Sequence, residues 1–510
     1  MKIHCPVGSR VLLAAALYAG ACGSDPPAKA PINPAGSPAA GQSGSGSGRG
    51  SSGSGGAAGS AGGSMAPPAG SAGSAGPVAG QSGGSSPDAS AMGGASQPPV
   101  DAPVVLDAGA DGSPPSATCD YTSKGNAGQI KLRFQQIPIM GVNTGDIRKE
   151  TGTKDGFTDF RFVPGLSNEF LLIQKRGKLN HLRLDATGNM ASLVKSHDIP
   201  GVFFNQDCGL ISVAFDPQYQ SNKLIYLGFC TAANASKLVR YRWDGEALSD
   251  PVDIMTWSTT PGRPAYHAIG SIGFESQGIM WLFHGEFENS SAASNLNSNL
   301  GKLLRIIPSR QPGEGGYTPA PDNPFVSDPK PKSAVFASGF RSPWRAVRTD
   351  RGHYVVGDVG DTTREEVNVV TRGGQNFGWP GGSGPCSGDC TGPVTYYRGP
   401  HDPYAGEGSA VKEARQGRAV WVGTQYGDCG NDRYGGALTG LVFFGDYYAG
   451  WFRGLVLDQA GKATKDVNLG QQGGVSAMAQ RDDGYLYVLS LGPYGSAAGE
   501  TAQLLRALPE

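Results

Sequence analysis

The chain has 510 residues, 17% of them charged, with 42 Lys and Arg set against 43 Asp and Glu for a formal net charge of −1. A polyanionic partner needs an excess of positive charge, so this balance gives no electrostatic basis for binding nucleic acid. Gly is far above ordinary usage at 80 residues, and the excess sits mostly within residues 23–118.

The chain begins MKIHCPVGSRVLLAAALYAGAC, in which Lys2 and Arg10 precede the apolar run Val11–Tyr18 and the small residues Ala19, Gly20 and Ala21 precede Cys22. That is the layout of an export signal over residues 1–22, with an apolar run too short to span a bilayer. The setting of Cys22 resembles a bacterial lipobox, with Ala19 where leucine is usual. The resemblance implies an N-terminal lipid on Cys22; the alternative is an ordinary secretory signal. Gly23 is not the aspartate associated with inner-membrane retention, so the expected location is the outer membrane, otherwise the periplasm or the exterior. Residues 23–118 nearly lack aromatics and charges and cannot bury enough apolar surface to offset their ordering entropy. They read as a disordered tether with a span of roughly 50–60 Å.

After Cys5 and Cys22 the cysteines are Cys119, Cys208, Cys230, Cys386, Cys390 and Cys429. An even number in an exported chain predicts three disulfides. Cys208 and Cys230 flank a predicted strand pair and are the first expected bridge. Cys386 and Cys390 bracket Ser-Gly-Asp, a spacing suited to a tight loop or to half a zinc site whose two further ligands are not apparent.

Residues 119–510 read as the folded body. Apolar residues at helical spacing are scarce, and short β-rich runs recur: NEFLLIQKRGKLNHLRL (168–184), LISVAFDPQYQSNKLIYLGF (210–229), SIGFESQGIMWLFHGE (271–286), WRAVRTDRGHYVVGDVG (344–360) and VSAMAQRDDGYLYVLSLG (475–492). Most join two apolar or aromatic runs through a polar turn, the pattern of a repeated hairpin. Such hairpins cannot cover their own apolar faces, and stacking them around an axis does so. The length predicts an all-β, six-bladed propeller, with loops converging at one end of the axis.

Familiar hydrolase and phosphate-loop motifs are missing; NLGKLLRI (299–306) has a Gly-Lys pair without the flanking residues of a phosphate loop. Several ordered segments instead share one pattern. DCGLISVAFDPQYQSNKLIYLGF (207–229) resembles GLLGxAFxPxFxxNxxxYxxY, and HAIGSIGFESQGIMWLFHGE (267–286) resembles HxGGxxxFGxDGxLYxxxGD. They are followed by NLGKLLRI, NPF (323–325), FASGFRSPWR (336–345), DVGDTTREEVNVVTRGGQNFGWP (358–380) and LTGLVFFGDYYAGWFRGLVLD (438–458). In this order they resemble the glucose/sorbosone dehydrogenase family, six-bladed quinoproteins that use pyrroloquinoline quinone (PQQ).

The resemblance implies oxidation of an aldose at its C1 hydroxyl to a lactone, with PQQ and calcium as cofactors, a sugar as substrate and an unidentified electron acceptor. It places the general base at His267, a role suited to neutral imidazole. The arginine that stabilises charge on the quinone oxygen falls at Arg341, where a planar guanidinium suits a developing oxyanion. Calcium is implied at the backbone carbonyls of Gly360 and Asp361 and a carboxylate at Glu365, in an acidic loop suited to a hard cation. Cofactor contacts are implied at Tyr266, just before the histidine, and at Asp207, where the family carries Gln or Glu; adjacent Gln206 is expected to point elsewhere. PQQ is a tricarboxylate, and Lys412, Arg415 and Arg418 are the candidate basic anchors. His284 reads as structural and Arg345 as a surface arginine.

Tyr266, Ala268, Ile269 and Asp207 depart from the family pattern at the cofactor pocket. They leave open a second reading, a non-catalytic propeller that binds a glycan or protein, since Hedgehog-interacting proteins are similar to the same scaffold. A calcium-dependent lactonase is a third.

Overall fold

The computed structural model describes residues 119–142, 156–361, 363–383, 386, 388–398, 417–491 and 502–510. The expected signal with Cys22, the tether, and the basic anchors Lys412 and Arg415 lie outside the described residues. Among the described residues, no helix is long and apolar enough to cross a membrane.

Six sheets, antiparallel except where the short strand Ile139–Met140 lies parallel to Ala191–Asp198, form the six blades of a β-propeller, as the hairpin pattern predicts. Their inner strands, in chain order, are Phe157–Val163, Leu210–Phe215, Ile269–Phe274, Pro343–Arg348, Val420–Gln425 and Val475–Gln480. Each packs against the next, and the sixth against the first. Inner strands such as Leu210–Phe215 and Val420–Gln425 are buried along their whole length because blades cover both faces, and neither carries a charged residue. Outer strands such as Ala191–Asp198 are largely exposed and correspondingly polar.

The ring closes by pairing the two ends of the folded body. Leu132–Ile137 is the outermost strand of the sixth blade and runs antiparallel to Gln503–Pro509, with Phe134 opposite Ala507. A disulfide between Cys119 and Cys429 fastens the chain just ahead of this strand to the fifth blade. Cys208–Cys230 and Cys386–Cys390 also form, giving the three expected bridges; Cys386 and Cys390 therefore hold a tight loop and offer no thiolate to zinc.

Side-chain hydroxyls stitch neighbouring inner strands together. Ser476 donates to Phe157 O (2.7 Å), Thr158 to Leu210 O (2.6 Å) and Ser212 to Gly270 O. Arg345 corrects the sequence reading: it is a core residue, 5% exposed, and not a surface arginine. It reaches from the fourth blade into the axial channel and donates to the carbonyls of Ser476 (2.5 Å), Thr158 (2.6 Å) and Ile211 (3.1 Å), on the sixth, first and second blades. Burial pushes its pKa down to about 10, so the guanidinium stays charged at neutral pH. A single planar fork thus cross-links the ring through carbonyls that the blades leave unpaired.

Candidate active site

Four expected site residues occupy equivalent places on four blades. Asp207 stands three residues before Leu210, while His267, Arg341 and Arg418 stand two residues before Ile269, Pro343 and Val420, the first residues of their inner strands. A continuous chain of contacts links the first three and runs on to the start of the fifth blade's inner strand. The Asp207 carboxylate accepts the His267 amide (3.0 Å), His267 Nδ1 meets Glu286 Oε1 (2.5 Å), and the Glu286 amide donates to Arg341 O (3.0 Å). Arg341 Nη1 donates to Gly360 O (2.6 Å), and the Glu365 carboxyl accepts the Val420 amide (3.1 Å) and, at longer range, that of Gly360 (3.4 Å).

His267 is held from every side. Its backbone lies in the left-handed region (φ 54°), a conformation a non-glycine residue keeps only where its surroundings impose it. Asp207 takes its N–H, and Phe287 N donates to its carbonyl at 3.2 Å. Gly285 passes so close that a Cβ there would lie 2.3 Å from His267 O, which explains glycine at that position. The ring is only 8% exposed. A carboxylate can only accept, so Nδ1 carries the proton of the Glu286 contact, while Nε2 makes no hydrogen bond to a described residue. Glu288 Oε1 lies 3.4 Å from the same Nδ1. His284, by contrast, is structural as expected: it donates from Nδ1 to Gly285 O (2.7 Å), accepts Ser236 Oγ at Nε2 (2.8 Å) and stacks on Trp257. Burial pushes its pKa down to about 4.

Arg341 also donates to Val359 O (3.0 Å), and its guanidinium carbon lies 5.5 Å from the Trp379 ring centroid. Its own amide and that of Ser342 are held by Asp358, at 3.1 and 2.7 Å. Burial raises the Asp358 pKa to about 6, against the lowering effect of those two amides.

These residues fit a planar polyanion. Trp379 Nε1 is a buried donor with no acceptor among the described residues, Arg341 Nε and Nη2 make no hydrogen bond to a described residue, and neither does His267 Nε2. For a hard cation the acidic loop offers carbonyl oxygens, those of Val359 and Gly360, which converge on the Arg341 guanidinium. A Cβ on Gly360 would lie on top of Arg364 O, so only glycine brings its carbonyl there. The Asp361 carboxylate turns back onto Thr363, accepting its amide at 2.8 Å and its hydroxyl at 2.5 Å. Glu365 is 1% exposed and committed to two amides; burial, with Asp446 nearby, pushes its pKa up to about 8.

The other expected contacts lie around this centre. Tyr266 is 36% exposed, and its hydroxyl accepts Gln206 Nε2 (2.8 Å). Gln206, expected to point elsewhere, also accepts the Ala265 amide (3.1 Å) and so fastens the loop that carries His267. The Arg418 side chain is exposed, and its amide is anchored on Asp446 (2.8 Å). Sequence reasoning passed over Glu286, although it ends the segment HAIGSIGFESQGIMWLFHGE at the place of the pattern's final Asp. Asp358 and Trp379 lie within the quoted segment 358–380 but were not singled out, and Glu288 lies outside the quoted segments. Glu288 returns to His267 through two successive left-handed residues, Phe287 (φ 51°) and Glu288 itself (φ 55°).

The Glucose / Sorbosone dehydrogenase family profile matches residues 158–497. An uncharacterised protein of Synechocystis sp. is 28% identical over 265 residues, 48% of this chain and 61% of its own. The aldose sugar dehydrogenase of Escherichia coli K12 is 25% identical over 225 residues, 43% of this chain and 57% of its own, so the chain covers under two thirds of either relative. The PQQ-bound aldose sugar dehydrogenase of Streptomyces coelicolor shares the fold, with a TM-score of 0.55 and 19% identity over 76% of this chain and 100% of that one. The family profile spans the blades from the first inner strand through the sixth and includes the contact chain from Asp207 to Val420, so this chain belongs to the glucose/sorbosone dehydrogenase family.

Proposed function

We propose that the protein oxidises the C1 hydroxyl of an aldose to its lactone, with PQQ as cofactor. The observation that carries this reading is the buried His267–Glu286 pair, which engages Nδ1 and leaves Nε2 without a hydrogen bond to any described residue. When bound, PQQ supplies the quinone that takes up the hydride from C1. His267 Nε2 accepts the hydroxyl proton as that hydride departs, so the C1 carbonyl of the lactone forms without a free oxyanion. Glu286 stabilises the imidazolium that results. Arg341 would supply positive charge to a quinone oxygen, and Trp379 would offer its indole N–H to an acceptor on the cofactor. Tyr266, Asp207 and Arg418 border the site, and Lys412 and Arg415 are proposed as further basic anchors for the carboxylates. Calcium is proposed at the carbonyls of Gly360 and Asp361, with Glu365 as its carboxylate. A lipid on Cys22 would hold the enzyme at the outer membrane.

The test is a titration of metal-stripped protein with PQQ, with and without calcium, followed by dye reduction with a panel of aldoses. Calcium-dependent binding and turnover, with His267→Ala binding PQQ without turning over, support the reading. Failure to bind PQQ at micromolar concentration overturns it in favour of a binding propeller, and lactone hydrolysis without PQQ overturns it in favour of a lactonase.

A further inference from the structure

We propose that His267, Glu286 and Glu288 form a binding site for a divalent transition ion, zinc by its donor set, whose occupancy switches off the base role of His267. The Nδ1 atom and one oxygen from each carboxylate lie within 4.8 Å of one another. An ion bound tetrahedrally at about 2.0–2.2 Å requires its ligands about 3.3–3.5 Å apart. Glu288 Oε1 already stands 3.4 Å from Nδ1, and Glu286 Oε1, at 2.5 Å, has to draw back by about 1 Å.

A second observation points to a missing cation. The Glu286 side chain is 3% exposed, and its Oε2 is buried without any hydrogen-bond partner. Neither Glu286 nor Glu288 forms an ion pair with an arginine or lysine among the described residues; His267 is the ion-pair partner of both. Two carboxylates around one imidazole in a largely buried setting thus lack compensating positive charge, which a bound dication supplies. Glu288 is 32% exposed and provides the route in from solvent. One imidazole nitrogen with two carboxylate oxygens, and room for water, suits zinc, whereas calcium takes six to eight oxygens.

Coordination uses the Nδ1 lone pair, so the single proton of the neutral ring resides on Nε2. That nitrogen then donates and no longer accepts a proton from an alcohol. Zinc binding itself is independent of the proposed dehydrogenase activity; its inhibitory consequence rests on that reading.

Cobalt(II) serves as the probe. Metal-stripped full-length protein is titrated with Co²⁺ while its visible absorption is followed, and Zn²⁺, Ca²⁺ and Mg²⁺ are then added. One equivalent of Co²⁺ with visible bands, displaced by stoichiometric Zn²⁺ and not by millimolar Ca²⁺ or Mg²⁺, is the expected result. Glu288→Gln, at a partly exposed side chain, weakens Co²⁺ binding by at least about tenfold, and His267→Ala removes the bands, with far-UV circular dichroism verifying the fold of both. Absence of bands, or bands and affinity unchanged in both variants, overturns the site. In PQQ-loaded protein that turns over, Zn²⁺ that binds without lowering the rate overturns the switch. Zn²⁺ binding in protein that neither binds PQQ nor turns over supports the site and counts against the dehydrogenase reading alone.

Discussion

His267 Nδ1 stands 2.5 Å from Glu286 Oε1, on a ring whose other nitrogen is free, and both side chains are buried. In the proposed reaction the carboxylate would orient the ring and stabilise the imidazolium formed on proton transfer. Glu286→Gln keeps an acceptor for Nδ1–H and deletes the charge. The expected outcome in PQQ-loaded protein is a kcat lower by about 10²-fold with KM little changed. Steady-state dye reduction checks both, and an unchanged kcat would remove Glu286 from the mechanism.

Gly285→Ala tests how the backbone of His267 is held. The added Cβ meets His267 O at 2.3 Å and its carbonyl carbon at 2.7 Å, and these backbone atoms cannot swing aside as a flexible side chain can. A loss of about 1–3 kcal/mol in denaturant unfolding is expected, together with loss of turnover. Gly125→Ala is the control, since nothing lies within 4 Å of a Cβ there.

Arg345→Met tests the axial cross-link. The substitution leaves three carbonyls, on the first, second and sixth blades, without their donor. Each orphaned buried acceptor costs about 1–3 kcal/mol, so the variant is expected to lose at least about 3 kcal/mol. Urea midpoints of the two proteins decide it; equal midpoints would mean that the guanidinium is not a structural tie.

His284 makes stability depend on pH. Its pKa is about 4 in the folded chain against 6.5 for the free side chain, so between these values the unfolded chain binds a proton that the native one does not. Its contribution is complete above pH 6.5 and is lost as pH falls toward 4, by up to about 3 kcal/mol. Asp358 and Glu365, whose folded pKa values are raised to about 6 and 8, act in the opposite sense: their stabilisation is present at low pH and lost as pH rises. The informative quantity is therefore the difference between wild type and His284→Asn. The variant is expected to lose stability less steeply between pH 6.5 and 4 in urea titrations, and parallel curves would refute the assignment.

Much of the site was readable because backbone and motif spacing carry it. The inner strands of a propeller are covered on both faces, so LISVAF reads as a buried strand. Residues just ahead of those strands, Asp207, His267 and Arg341, are brought to one rim once the ring closes. The Cys208–Cys230 bridge was likewise legible, since a hairpin places its flanks side by side.

What the sequence by itself determined is the propeller fold and the order of its loops, consequences of local periodicity and linear pattern; His267 was singled out only by the family resemblance. The tertiary structure alone decided what the site residues touch. It turned Asp207 onto the His267 amide, drew Arg345 into the axis, and returned Glu288 to the imidazole through two left-handed residues. These contacts join positions far apart in sequence or depend on dihedral angles that residue types do not specify. Hydrogen-bond partners and charge compensation exist only once the blades stand around a common axis.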